Sequence, residues 1–149
     1  MNQLFLVSLA FIGGVFLAAQ GGLNASLGVL LKNPLLASVV AFISSAVFAI
    51  FFALLSANNT PSLEDVKGVP LYLWFVGGLL SVLGISLYYY TIPKLGMSTM
   101  ISIGLCGQLV FASLAGQLGW FNLPIEPLTI KRSIGMLSMI LGIILINLK

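Results

Sequence analysis

Gln20 and Asn24 stand four residues apart in "FLVSLAFIGGVFLAAQGGLNASLGVLL", a stretch without a charged side chain. That spacing is close to one helical turn, so the two amides share a face. A carboxamide donates and accepts hydrogen bonds and carries no fixed charge. Turned toward lipid it would lose about 2–7 kcal/mol of hydration, so the pair must face other helices or a hydrated hollow. Gly21 and Gly22 lie between them and are expected to thin the helix there, freeing carbonyls for contact. Gln108, in "SIGLCGQLVFAS", repeats the chemistry, and Ser44 and Ser81 fall near the middle of two further apolar runs. Two readings stay open. Gln20, Asn24, Gln108, Ser44 and Ser81 line a polar cavity and bind a substrate, or the amides hold helices together, each worth about 0.6–2 kcal/mol.

No Asp, Glu, Lys or Arg falls at the centre of an apolar run, and there is no histidine. An intramembrane carboxylate is the usual device for proton coupling, so that mechanism is not expected. Nothing offers a base beside a nucleophile, a metal-ligand cluster or a phosphate-binding loop. The reading is therefore of a non-enzyme with no metal and no cofactor. Cys106 reads as a small packing residue. The net charge of +3 comes from six basic and three acidic residues spread along the chain. It is too thin for a nucleic-acid surface.

The elements that must position these residues are membrane spans. The 149-residue chain is 60% hydrophobic and 6% charged, with a mean hydropathy of +1.17. A soluble domain would carry about 25% charged residues. Crossing the hydrocarbon takes about 20 apolar residues in a helix, and five runs qualify, at about 4–31, 35–55, 70–91, 97–118 and 130–148. All belong to a single transmembrane domain, residues 1–149. The first run lacks the preceding Lys or Arg of a signal peptide and reads as a retained span. Asn33 and Pro34 read as the cap and first-turn proline of the second span. "SANNTPSLEDVKGVP" is the clearly aqueous loop. Trp74, Tyr88, Tyr89, Tyr90 and Trp120 match the aromatic belts at the two membrane faces. Trp74 and Tyr88 are candidates for a gate as well as for anchoring. Gly77, Ser81 and Gly84, Ala112 and Gly116, and Gly135, Ser138 and Gly142 form small-residue stripes that let helices approach closely.

With five spans the termini face opposite sides. Lys67, Lys131 and Arg132 fall on one side and Lys32, Lys94 and Lys149 on the other. Orientation normally follows the side richer in Lys and Arg. Here the sides are even. Either something outside the chain sets the orientation, or the protein inserts both ways. Dual insertion would let two copies pair antiparallel about an axis in the membrane plane, as fused inverted repeats do.

The chain resembles the drug/metabolite transporter superfamily, most closely its five-span YdcZ-like branch. The resemblance runs over the whole length, carried by "QGGLN", "NPLLASVVAFISS", "LWFVGG", "IPKLGMST", "GLCGQL" and "KRSIG" in that order. Ser45 stands where the resemblance leads one to expect glycine. It implies an all-α integral membrane fold and a transport role, with members that occur as dual-topology chains, paired chains or fused halves. The distantly similar small multidrug resistance transporters carry a glutamate in their first span, where this chain has amides.

Together these readings describe five transmembrane helices forming half of an inverted-repeat transporter, an antiparallel homodimer in a bacterial inner membrane. Its expected partners are the lipid bilayer, a small-molecule substrate and its own second copy, with no nucleic acid. A heterodimer with a companion chain stays open. The competing reading is a non-transporting membrane subunit that assembles with or regulates another complex.

Overall fold

The computed structural model describes residues 2–56 and 61–148. Residues 57–60 of the aqueous loop, and Lys149 of the charge count, lie outside them. Helices α1 (Gln3–Leu30), α2 (Pro34–Ser56), α4 (Leu71–Leu95), α5 (Met97–Leu118) and α6 (Ile130–Asn147) are each long and apolar enough to cross a membrane. A short helix, α3 (Leu63–Gly68), precedes α4. Among the described residues there is no strand.

Local chemistry sets the helix boundaries. Asn33 Oδ1 accepts the backbone N–H groups of Leu35 at 2.9 Å and Leu36 at 3.3 Å, ahead of a first-position proline. Lys32 takes a left-handed conformation (φ 53°) in the turn before it. Ser62 and Asp65 form a reciprocal capping box on α3. The Ser62 hydroxyl foremost, and its backbone N–H next, hold the Asp65 carboxyl below its ordinary range. Helix α4 continues through Pro93 to Leu95 and so carries Lys94 within its last turn. Gly96 (φ 87°) then turns the chain into α5. Helix α1 is continuous through Gly21 and Gly22.

The chain divides into two compact units, residues 1–94 and 95–149. In the first, α1 and α2 meet through small residues. Ala25, Gly28, Ala37 and Ala41 are buried, and a Cβ added at Gly28 would lie 3.4 Å from both Ala37 Cβ and Pro34 Cα. Close backbone approach of this kind replaces the hydrophobic driving force that lipid cannot provide. Helix α4 joins through Tyr89 and Ile92, its buried residues. The Ile92 side chain reaches to 3.6 Å from the Cβ position of Gly21. All these contacts gather where α1 ends, α2 begins and α4 ends. Residues 2–12, 43–56 and 71–84 are exposed throughout. Among the described residues, the three helices are joined where α1 ends, α2 begins and α4 ends.

In the second unit α5 and α6 form an antiparallel pair. Asn147 Nδ2 donates to Ser102 Oγ at 3.1 Å, and Ser113 Oγ lies 3.1 Å from Met136 Sδ. Both contacts fit one register. The connection folds back on α5, with the Glu126 N–H donating to the Gly116 carbonyl at 2.9 Å. Of the small-residue stripes, Gly116 packs against the Glu126 side chain, whereas Gly77, Gly84, Gly135 and Gly142 have no neighbouring atom within 4 Å of a Cβ position.

The α1–α2 contact predicts opposite outcomes for two substitutions in detergent melting curves. Gly28→Ala fits at ordinary contact distance and gains helix propensity, so stability holds or rises slightly. Gly28→Leu overpacks the seam and costs about 1–3 kcal/mol. Equal melting of Gly28→Leu and the parent would contradict this packing.

Candidate functional site

At the joined end of the first unit, one phenol collects both amides of α1. Gln20 Nε2 donates to the Tyr89 hydroxyl oxygen at 3.1 Å and Asn24 Nδ2 donates to it at 2.9 Å. Tyr89 is 2% exposed. A phenol oxygen accepts two hydrogen bonds and donates one. The two amides fill its acceptor sites, and its own proton remains as a donor. The shared face of Gln20 and Asn24 makes this possible, because one side chain from α4 can reach both.

A second polar bridge fixes α2 to α4. The hydroxyls of Ser38 and Ser86 lie 2.9 Å apart, and Ser38, 1% exposed, also donates to the Pro34 carbonyl at 3.1 Å. The buried small residues therefore bring α1 and α2 together, and two polar bridges hold α4 to both. Gln20 and Asn24 remain half-buried. Among the described residues, Asn147 Oδ1 is the side-chain polar atom that is buried without a partner. The amide oxygens of Gln20 and Asn24 are not in that state.

Pro93 adds a backbone feature. Lacking an N–H, it cannot donate to the carbonyl four residues back, which is that of Tyr89. A cavity of about 150 Å³ lies beside it, lined by Gly28, Pro34, Tyr89, Tyr90, Pro93 and Lys94 among others. Lys94 Nζ sits 3.4 Å from the centre of the Tyr90 ring, a cation–π contact that suits a cation at the membrane face.

The other residues singled out from sequence lie elsewhere. Ser44 is exposed on α2 and donates to the Ala41 carbonyl at 3.0 Å. Ser81 and Trp74 are exposed on the free part of α4, and Tyr88 is half-buried next to the hub. Gln108 is exposed on α5 in the second unit. Tyr89, Ser38 and Ser86 were not singled out. Tyr89 looked like one more belt aromatic in a run of three. Residues 100° apart point in different directions around a helix, so a helix with one packed face turns at most some of three adjacent tyrosines toward it.

The described residues form an all-helical chain with five helices long and apolar enough to cross a membrane and a neutral polar hub. The match to a known family agrees. The family described as "Putative inner membrane exporter, YdcZ" covers residues 5–145, and the chain belongs to that family of membrane transporters. No curated protein and no solved structure is a match.

The hub makes a stability prediction. Tyr89→Phe keeps the ring and removes the acceptor that Gln20 and Asn24 share, at a cost of about 1–3 kcal/mol. Adding Gln20→Leu to Tyr89→Phe should cost much less than Gln20→Leu alone, because the amide no longer has that bond to lose. Additive losses in thermal melting would show that the two side chains are not coupled.

Proposed function

We propose that the chain is a small-solute transporter that works as an antiparallel pair of copies by alternating access. The observation that carries this reading is the neutral Gln20–Asn24–Tyr89 hub in a chain of an exporter family. Each amide has a second N–H and a carbonyl oxygen beyond its bond to Tyr89, and the hub keeps a phenol proton. Gln108 would offer the same chemistry from α5. Such groups suit a small polar or amphipathic solute carrying both donors and acceptors, without a fixed charge to be matched. Substrate binding then competes with the internal hydrogen bonds, so solute exchange and helix movement are linked. The carbonyl of Tyr89, released by Pro93, is an acceptor for the solute or for a coupling ion.

The antiparallel pair rests on the even Lys and Arg count and on the unused surfaces. The open glycines of α4 and α6 and the free parts of α1, α2 and α4 provide faces for a second copy. Ser44, Ser81, Trp74 and Tyr88 would belong to that wider pathway, the last two at its mouths. A bacterial inner membrane is the proposed location. The competing reading, a non-transporting subunit, draws on the hub being closed upon Tyr89, which is what interhelical glue looks like.

Flux separates the two. Purified protein in liposomes, screened with a panel of radiolabelled polar and amphipathic solutes, should move at least one of them. Gln20→Leu and Asn24→Leu should each lower that flux about tenfold or more while leaving assembly intact. Parent protein without flux, or variants that lose assembly and flux together, would favour the subunit reading. Topology has its own test. With Cys106→Ser as background, a cysteine added at either terminus should label from both membrane sides. Labelling from a single side would exclude dual insertion.

A further inference from the structure

The α5–α6 connection builds a second site that owes nothing to the amide hub. After α5, Gly119 (φ 63°) turns the chain, and Phe121 (φ 62°) and Asn122 (φ 57°) also adopt left-handed conformations. Such a conformation is strained for a bulky non-glycine residue and persists where its surroundings demand it. Here it places Phe121 among other rings. Phe111 lies 6.1 Å from Trp120 and 6.3 Å from Phe121, centre to centre, and Trp120 lies 6.4 Å from Phe121. Residues that merely anchor a helix at the membrane face need no such mutual grouping.

The same connection returns to these rings with a carboxylate. Pro124 and Pro127 stiffen it, Ile125 packs against the Cβ position of Gly119, and the Glu126 N–H is bonded to the Gly116 carbonyl. Phe111, Trp120, Phe121 and Glu126 consequently line one cavity of about 500 Å³. That volume falls in the usual range for small-molecule pockets, about 300–1,000 Å³. Arg132 Nη2 meets Glu126 Oε2 at 3.0 Å, but Arg132 lines an adjoining cavity, which shares Ala112 and Glu126 with this one. Seen from the aromatic cavity, Glu126 is the charged group in the wall. The ion pair is exposed on both partners, and exposed pairs are weak and yield readily to a competing cation.

We propose that this cavity binds lipophilic organic cations, of which a quaternary ammonium is the type. The ring faces supply cation–π attraction and Glu126 supplies the opposite charge. A bare divalent metal ion would want several oxygen ligands at once, and the wall offers one carboxylate. Arg132 is the internal competitor that the ligand's cation relieves.

Calorimetric titration of the full-length protein in nanodiscs with benzyltrimethylammonium tests this, with empty nanodiscs as the blank. Saturable binding is expected in the parent, weakened about tenfold or more in Glu126→Gln and about threefold to tenfold in Phe121→Leu. Phe121→Leu leaves the Glu126–Arg132 pair in place, so it decides the matter if Glu126→Gln fails to assemble. Absence of saturable binding in the parent, or parent-like affinity in Phe121→Leu, would overturn the proposal.

Discussion

A bilayer interior offers no hydrogen bonds, and that constraint organises the first unit. Two amides placed a turn apart on α1 must find partners on another helix or in water. Tyr89 provides one oxygen for both. The consequence reaches beyond those residues. Once α4 is held to α1 by its phenol, Ile92 falls against Gly21 and Ser86 meets Ser38 on α2. Helices in lipid gain little from burying apolar surface against one another. Their placement is then decided by a few polar bridges and by small residues that allow close approach.

In the proposed function the same chemistry that builds the hub also binds the solute. A carboxamide satisfied through one arm still has others, and the phenol that accepts twice still donates once. Pro93 leaves a backbone carbonyl without its helical donor at the same residue, Tyr89. Structural closure and solute recognition would therefore draw on one set of hydrogen bonds, which is an economical way to couple binding to movement. Helices joined at one side and apart along the rest of their length fit that role. In the proposed mechanism the joined end would act as the pivot, and the exposed parts would meet lipid and the second copy.

The spans were legible in the sequence because runs of about 20 apolar residues admit little else in a chain so poor in charge. The cap at Asn33 and the turn after Lys32 were legible too, from the Asn-Pro pair. The shared face of Gln20 and Asn24 followed from spacing, and its inward direction from the cost of an amide in lipid. Their partner did not, because Tyr89 sits among tyrosines that belong at a membrane face, and only tertiary packing selects which one turns in. Gly21 and Gly22 were expected to thin α1 for close contact; the helix runs through them, and Ile92 packs at Gly21. The third span was expected to end near residue 91, but α4 continues through Pro93 to Leu95. Glu126 was invisible as a site: Asn122 suits a left-handed turn, but nothing in the residue type announces the same backbone at Phe121, on which the cavity depends.

The central claim is that the amides of the hub, though bonded to Tyr89, meet water and solute in the working protein. Thiol reactivity measures this directly, because alkylthiosulfonates react with thiolates, which form only where water reaches. Asn24→Cys in a Cys106→Ser background, in native membranes, should react with a membrane-impermeant methanethiosulfonate, and a transported solute should slow that reaction. A thiol at position 24 that stays unreactive while the protein still carries out flux would contradict the account.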